Sequence, residues 1–321
     1  MKISVVIPTY QRPNLLNTCL EALLRQTFSS EFYEIIVVSD GPDESTAQVV
    51  QTWQKNSAVT IHFLSLTYKR GPAAARNLGW RKSHGELIAF TDDDCIPDTN
   101  WLTTIWNAYQ GEEIIAYSGR VIVPVSQDPT DYELNTAGLE TAEFVTANCI
   151  CSRMALVKVG GFDSQFSTAW REDSDLEFKL LENHIPIKQL PQAIIVHPVR
   201  KAPWGVSLKE QRKSMFNALL YKKFPRLYRQ KIQPGPVWHY YLIIFCFLGF
   251  FCGMLTHTTE LALLFLVGWV GCTGWFAWKR LSRTSKSFRH VSEMIVTSAL
   301  IPFLSIYWTL YGAWRYRVLF F

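Results

Sequence analysis

The stretch Leu87-Ile88-Ala89-Phe90-Thr91-Asp92-Asp93-Asp94 is an apolar run that ends in three consecutive carboxylates. Its apolar half predicts a strand buried on both faces, so the acids lie at the carboxyl end of that strand. Ligands bind at this edge in open α/β sheets. Clustered carboxylates repel one another unless a cation neutralises them, and hard oxygen ligands favour Mg²⁺ or Mn²⁺. The acids therefore predict a metal site, with a solvated acidic turn as the alternative.

Strand and helix patterns alternate on both sides of this stretch. Strands are predicted at residues 3–8, 34–41, 60–66 and 87–92, and helices at residues 13–26, 43–55 and 72–83. Repeated β-α-β units predict a parallel sheet with right-handed crossovers, an α/β nucleotide-binding architecture. Further along, residues 114–123 are predicted to form a strand, and residues 128–142 an irregular connection.

Composition divides the chain into a globular part and an apolar part. Of its 321 residues 48% are hydrophobic, and the apolar excess lies from Trp238 onward. We therefore expect a globular domain over residues 1–235 and a membrane region over residues 236–321. The first strand directly follows Met1-Lys2, so no secretory signal is predicted and the globular domain is expected to face the cytoplasm. The seven Cys form no C-x-x-C pair, which argues against disulfide or metal-thiolate frameworks.

Two apolar segments, residues 238–256 and 261–278, are long enough to span a bilayer as helices. Lys and Arg flank the pair on both outer sides and are absent from the linker between them, which predicts a multi-pass protein of the inner (cytoplasmic) membrane with both flanks in the cytoplasm. A third apolar segment, residues 294–314, ends in Arg315-Tyr316-Arg317. If this segment crossed the membrane, these arginines would lie outside the cytoplasm, against the distribution of basic residues expected for membrane proteins. Two placements therefore stay open: the segment crosses the membrane, or it lies in the membrane interface.

The net charge of +5 comes from basic residues that cluster beside the apolar segments. This placement predicts membrane lipid as a partner and, without any nucleic-acid motif, no nucleic acid. The basic stretch 200–213, which contains Trp204, predicts either a lid over a pyrophosphate or a solvated face near anionic lipid.

Two acidic strand ends are expected to face one crevice. Asp40 ends the second predicted strand and Asp92 follows the fourth, so Asp40 is expected to accept hydrogen bonds from a ribose or base. Between them, residues 69–77 lead into a helix, and Arg70, Arg76 and the helix N-terminus suit an anion. For Arg76 the alternative is an ordinary helix-surface charge. The sequence lacks G-x-G-x-x-G and G-K-[ST], which argues against dinucleotide oxidoreductases and P-loop NTPases.

Four segments together resemble the family 2 glycosyltransferases of the GT-A fold. They are residues 4–10, 39–41, 70–77 and 90–94, and the resemblance covers about residues 1–200. It implies an α/β GT-A nucleotide-diphospho-sugar transferase fold, with a Rossmann-like mixed sheet. The apolar segments predict that C-terminal transmembrane helices follow this fold. The resemblance also implies inverting transfer from a nucleoside diphosphate sugar. Together with the apolar segments, this predicts a membrane-anchored enzyme that acts on a lipid-linked or membrane-proximal acceptor, in cell-surface glycan or glycolipid assembly.

The same resemblance also indicates which residues bind the metal and the donor nucleotide. It assigns the divalent cation, Mg²⁺ or Mn²⁺, to Asp92 and Asp94. The residues expected to bind the donor nucleotide are Pro8, Tyr10, Asp40, Arg70, Arg76, Asp92 and Asp93.

On the acceptor side, Val159-Gly160-Gly161-Phe162-Asp163 followed by Trp170-Arg171-Glu172-Asp173 resembles a segment of the same family. The resemblance makes Asp173 the catalytic base and places Asn148, Trp170 and Glu172 near the acceptor. Independently, inverting displacement needs one carboxylate to deprotonate the attacking hydroxyl, and a metal to neutralise the departing diphosphate. The alternative is that these acids favour a helix N-terminus. One departure is Arg171, where the family often has Gly.

His197 follows the apolar run 193–196, again at a predicted strand end. A neutral imidazole at this place suits Mn²⁺, so His197 is a candidate third metal ligand. A purely structural histidine is the alternative.

Two other functions compete with a simple transferase. A processive polysaccharide synthase would carry Q-x-x-R-W, which Gln211-Arg212-Lys213-Ser214-Met215 does not supply, and the apolar tail is short for a translocating channel. A non-catalytic nucleotide-sugar-binding membrane scaffold is the other alternative, and the intact Asp94 and Asp173 argue against it.

Overall fold

The computed structural model describes residues 1–320, which form two compact units. The sheet unit consists of residues 1–124 and 137–199, and the helical unit of residues 125–136 and 200 onward. Packing therefore groups residues 200–235 with the apolar helices. The division at residue 235, which follows composition, stays a prediction about where the membrane region begins.

The strands all lie in the sheet unit and largely follow the sequence pattern. They are β1 Ile3–Thr9, β2 Tyr33–Ser39, β3 Thr60–Ser65, β4 Leu87–Phe90, β5 Ile96–Pro97, β6 Ala116–Ile122, β7 Cys149–Ser152 and β8 Ile187–Val196. The helices are α1 Pro13–Leu24, α2 Glu44–Asn56, α3 Pro72–Lys82, α4 Trp101–Ala108, α5 Asp131–Ala137, α6 Arg153–Val159, α7 Glu172–Glu182, α8 Val206–Glu210, α9 Met215–Lys223, α10 Pro225–Lys231, α11 Trp238–Leu255, α12 Thr259–Leu281 and α13 Phe288–Tyr316.

The sheet is mixed, in the order β3-β2-β1-β4-β7-β6-β8-β5. The first four strands pair in parallel, which confirms the predicted β-α-β half. Strand β7 then runs antiparallel to both β4 and β6. The carboxyl ends of β1, β2 and β4 consequently meet at one edge, where the acid triplet follows β4.

Alternation of side chains buries both faces of the sheet. Val5 and Ile7 point into one core layer, whereas Val6 and Ile36 point into the other. A strand buried on both faces needs an almost unbroken apolar run, which is the pattern of β1, β2 and β4.

The prediction that residues 128–142 are irregular was wrong. Helix α5 and a 3-10 turn at Gly138–Thr141 lie within this range. The Glu133 carboxylate accepts hydrogen bonds from the Thr130 backbone N–H at 2.7 Å, and the Glu133 N–H donates to Thr130 Oγ1 at 3.2 Å. This is a capping box, so the T-x-x-E signal for a helix start was present in the sequence.

In the helical unit, α11 and α12 form an antiparallel hairpin. Ring centroids of His239 and Phe276 lie 5.4 Å apart, and those of Phe247 and Trp269 lie 5.6 Å apart. Helices α11, α12 and α13 are each long and apolar enough to cross a membrane, which confirms the three predicted apolar segments.

Candidate active site

The three acids after β4 point to different partners. Asp93 is buried, accepting hydrogen bonds from Thr9 Oγ1 at 2.8 Å and from Arg12 Nη1 at 3.2 Å. Burial raises the pKa of Asp93 to about 6, although the charge of Arg12 opposes this shift. Asp93 therefore fastens the acid triplet to the end of β1, and its contact with a nucleotide stays a prediction.

Asp92 and Asp94 belong instead to a four-residue cluster that could hold a metal ion. Ligand atoms of Asp92, Asp94, Cys95 and His197 all lie within 4.8 Å of one another. His197 directly follows β8, and its Nε2 lies 3.6 Å from Asp94 Oδ1. Its buried Nδ1 has no hydrogen-bond partner among residues 1–320. Two carboxylates and an imidazole fit Mg²⁺ or Mn²⁺, so the residues present suit the predicted cation.

Cys95 was not predicted as part of this cluster. Its thiol is buried, and burial raises its pKa well above the ordinary value. The signal was its position directly after the acid triplet, but a cysteine beside apolar neighbours is more typical of a core.

Arg76 joins the acid triplet to the acceptor-side segment. Its Nη2 lies 2.6 Å from Asp92 Oδ1, and its Nη1 lies 3.2 Å from Glu172 Oε1. The side chain is 2% exposed, so the helix-surface alternative is wrong. Burial lowers the pKa of Arg76, but the charges of Asp92 and Glu172 outweigh that and hold it above its usual value. One guanidinium thus balances two acids that lie 16 and 96 residues away in sequence.

Glu172 and Asp173 open α7 in different surroundings. Glu172 is buried, and burial together with the charge of Asp173 raises its pKa to about 7. Asp173 is only partly buried, and its Oδ1 accepts a hydrogen bond from the Ser174 backbone N–H at 2.6 Å. Burial also raises the pKa of Asp173. Glu172 is therefore an enclosed acid and Asp173 a more accessible one. Burial favours the protonated form of both.

The pKa of Glu172 leads to a prediction about stability. Because its pKa in the folded protein, about 7, exceeds the ordinary 4.5, the folded state binds more protons than the unfolded state between these values. The contribution of Glu172 to the free energy of unfolding must then fall as pH rises through this window. We expect Glu172→Gln to flatten the fall, as measured by thermal unfolding from pH 4.5 to 7.5 in detergent. Identical pH slopes for both proteins would contradict the assignment.

Arg171 occupies the left-handed backbone region at the start of α7. Its φ is 71° and its ψ is −4°. This conformation is unfavourable for every residue that carries a Cβ, and glycine alone adopts it freely. This explains why glycine suits the position, and it shows that arginine can adopt the required turn. Its guanidinium carbon lies 4.7 Å from the centroid of the Trp170 ring.

A pair of variants isolates the backbone effect at this position. Both Arg171→Gly and Arg171→Ala remove the side chain, but only glycine relieves the positive φ. We expect the Gly variant to be more stable than the Ala variant by about 1 kcal/mol. Thermal unfolding of the two proteins measures the difference, and an Ala variant as stable as the Gly variant would show that the turn is unstrained.

Asp40 holds the loop that leads into α3. Its carboxylate accepts hydrogen bonds from the backbone N–H groups of Arg70, at 2.7 Å, and Gly71, at 2.9 Å. Gly71 has φ +97°, and a Cβ there would lie 2.5 Å from the carbonyl oxygen of Ser167. The exposed Arg70 side chain and the Tyr10 ring, which lies 4.0 Å from Lys69 Nζ, border this loop. Pro8 is buried in β1. The contacts of these residues with a nucleotide stay predictions.

Asn148 lies in the core of the sheet unit. Its Oδ1 accepts a hydrogen bond from Trp101 Nε1 at 2.9 Å, and its Nδ2 donates to the carbonyl oxygens of Arg120 and Ala193. The side chain is fully buried, so these contacts support a structural role and give no support to the predicted acceptor contact. Trp170, in contrast, is 39% exposed, and its contact with an acceptor stays a prediction.

Asn77 is the last residue of the segment 70–77, and no role was predicted for it. Its Nδ2 donates to the Phe162 carbonyl oxygen at 2.7 Å, and its Oδ1 accepts from the Phe162 N–H at 3.0 Å. This pair of hydrogen bonds ties α3 to the Gly-Gly-Phe turn. Only the fold could reveal the contact, because 85 residues separate the two partners.

Comparison with solved structures identifies the class of fold. The mannosyltransferase PcManGT from Pyrobaculum calidifontis, in complex with GDP-Man and Mn²⁺, superposes with a TM-score of 0.60 over 95% of this chain and 87% of that chain. The two sequences are 16% identical, so the likeness concerns the fold. The predicted GT-A architecture with its mixed sheet is confirmed.

The sequence model of glycosyl transferase family 2 matches residues 4–160. Residues 4–160 of the chain therefore carry a match to that family. It is 30% identical over 119 residues to glycosyltransferase AglE of Haloferax volcanii, covering 37% of this chain and 39% of the relative. It is 38% identical over 93 residues to the GalNAc(5)-diNAcBac-PP-undecaprenol beta-1,3-glucosyltransferase of Campylobacter jejuni, covering 29% of each protein. The matched part thus spans well under two thirds of either relative.

Proposed function

We propose that this protein is a membrane-anchored inverting glycosyltransferase, which moves a sugar from a nucleoside diphosphate sugar to a lipid-linked or membrane-proximal acceptor. The observation that carries the proposal is the Arg76 bridge. It brings Asp92, from the acid triplet, together with Glu172, from the acceptor-side segment. An inverting displacement needs a donor site and a general base beside each other, and the bridge places their two sequence motifs in contact with one side chain.

The residues divide the chemistry between them. Asp92, Asp94 and His197 would hold a divalent cation, which when bound supplies charge neutralisation for the diphosphate leaving group. Asp173 accepts the proton of the acceptor hydroxyl, a role that its partial exposure allows. Arg76, through its contacts with Asp92 and Glu172, holds the acid triplet and the start of α7 in fixed positions relative to each other. The loop held by Asp40 presents Arg70 to the phosphates of the donor.

A lipid-linked acceptor is supported by two observations. The helical unit carries three helices that are long and apolar enough to enter a bilayer. The Campylobacter jejuni relative is named for an acceptor joined to PP-undecaprenol. The proposed location is the cytoplasmic membrane, with residues 1–235 on the cytoplasmic side, because basic residues flank the α11–α12 hairpin on its outer sides.

The test combines binding and turnover. We expect one of UDP, GDP or dTDP to raise the melting temperature of the full chain in the presence of Mn²⁺, and the matching nucleotide sugar to be consumed. Asp94→Ala should lose the Mn²⁺-dependent part of the stabilisation and of the turnover, whereas Glu113→Ala, an exposed acid elsewhere in the sheet unit, should keep both. Binding without turnover for every donor would overturn the transferase and favour the scaffold. A product with many added sugars would favour the processive synthase.

A further inference from the structure

Helix α13 lies against a charged segment over most of its length. This segment, residues 205–223, includes α8 and α9. Its contacts with α13 join Gly205 to Glu293, Arg212 to Trp308, Met215 to Gly312 and Lys222 to Tyr316. The Gly205 N–H donates to the Glu293 carboxylate at 2.7 Å, and Lys222 Nζ donates to the Tyr316 carbonyl oxygen at 2.8 Å. The segment and the helix therefore run side by side in the same direction.

The charges of this segment decide where α13 can lie. From Glu293 to Tyr316 the helix is about 35 Å long, close to the thickness of a bilayer's hydrocarbon core, about 30 Å. If α13 crossed the membrane, the segment would cross with it, and Arg212 would lie at the depth of Trp308. A Lys or Arg near the bilayer centre is strongly unfavourable, because its charge loses its hydration there. Glu210 and Lys213 pair with each other, but Lys209 and Arg212 would still enter the hydrocarbon.

The contacts of α13 with the hairpin extend from the hairpin's base, which is the Trp238 end of α11 and the Leu281 end of α12, to the middle of α11. Phe303 lies 5.0 Å from Phe247, measured between ring centroids, and Thr297 Oγ1 accepts a hydrogen bond from Arg280 Nη1 at 2.7 Å. Ile301 packs in one cluster with Ile243 and Phe276. Beyond Phe303, α13 continues along the charged segment to Tyr316.

The outer face of α13 is an exposed apolar stripe. It consists of Val296, Leu300, Tyr307, Leu310 and Trp314, which are between 42% and 76% exposed. Their spacing of four, seven, three and four residues places them on one side of the helix. Arg315 and Arg317 follow at its end, where they suit anionic headgroups. The stripe belongs to a helix that packs against a hairpin whose own exposed surface is apolar, so the surface that fits it is the lipid bilayer.

We propose that α13 lies in the plane of the membrane interface, with its apolar stripe on the bilayer, and that α11 and α12 alone cross the membrane. Both ends of α13 then lie on the side of the membrane that holds the charged segment. The inference rests on the membrane association proposed above, and it is independent of the transfer reaction. An in-plane helix of this kind sets the rest of the helical unit at a constant depth against the headgroups.

Spin labels on the stripe test the proposal in the full-length protein, reconstituted in vesicles of phosphatidylcholine and phosphatidylglycerol. Leu300→Cys, Tyr307→Cys and Trp314→Cys, each with Cys252→Ser, place labels seven residues apart, which is about 10 Å along the helix. The depth of each spin label in the bilayer is measured from the ratio of its collision rates with oxygen and with a water-soluble nickel complex. We expect three equal, shallow depths. Depths that change by about 10 Å between neighbouring labels would overturn the proposal, and labels shielded from both reagents would show a protein partner in place of lipid.

Helix α12 supplies the matched control. Leu263 and Val270 are exposed and also lie seven residues apart, so Leu263→Cys and Val270→Cys should report clearly different depths. Equal depths there would mean that the hairpin does not cross, which is a failure of the proposed membrane anchoring and separate from the inference on α13.

Labelling by a membrane-impermeant maleimide gives an independent answer. Ser287→Cys and Leu319→Cys lie before and after α13, at exposed positions. An in-plane helix requires both to react from the same side of sealed vesicles, with His257→Cys in the hairpin loop reacting from the other side. Reaction of Ser287→Cys and Leu319→Cys from opposite sides would show that α13 crosses.

Discussion

Replacing Arg76 by methionine is expected to lower kcat/KM by at least about 100-fold and the free energy of unfolding by about 3–5 kcal/mol. Methionine fills much of the volume but leaves the buried Glu172 and its neighbour Asp92 without the guanidinium that bridges them at 3.2 and 2.6 Å. Two unbalanced carboxylates then repel each other within the site. Turnover of the nucleotide sugar and thermal unfolding measure the two losses.

Two further variants separate charge from geometry at this position. Arg76→Lys keeps the charge, but a single ammonium cannot donate to both acids in the same way, so we expect most of the stability to return and most of the activity to stay lost. In the double variant Arg76→Met with Glu172→Gln, the removal of one buried charge should restore part of the stability lost in Arg76→Met. Wild-type stability and turnover in Arg76→Met would contradict the bridge.

Replacing Asp173 by asparagine is expected to lower kcat by about 10²–10⁴-fold while donor binding is kept. The amide has the shape of the carboxylate but cannot take the proton of an attacking hydroxyl. Because burial raises the pKa of Asp173, the wild-type rate should rise with pH through the titration of this group, since only the ionised form acts as a base. That rise should be absent from the residual activity of Asp173→Asn.

The control for Asp173 lies on the same helix. Glu182→Gln changes an exposed acid at the far end of α7 and should leave both kcat and its pH profile unchanged. Thermal stabilisation by the nucleoside diphosphate with Mn²⁺ shows whether the donor side of Asp173→Asn is intact. An Asp173→Asn protein that binds the donor and turns over within about tenfold of wild type would exclude Asp173 as the base.

The correct predictions from sequence concern features that repeat locally. The strands β1, β2 and β4 were found because burial on both faces demands continuous apolar runs. The error at residues 128–142 came from overlooking the capping box of Thr130 and Glu133, which is itself a local signal. Asn148 and Asn77 could not be assigned in the same way, because their amides bond to residues far away in sequence.

The sequence by itself determined the α/β pattern, the acids at the end of β4, the resemblance to family 2 glycosyltransferases and the apolar segments. These depend on periodicity, composition and motif order, which are properties of neighbouring residues. Tertiary structure alone decided that Arg76 bridges two motifs, that His197 joins Asp92 and Asp94, and that α13 runs beside a charged segment. Each of these depends on which distant residues share a small volume, and that follows from the order of strands in the sheet and the packing of helices against one another.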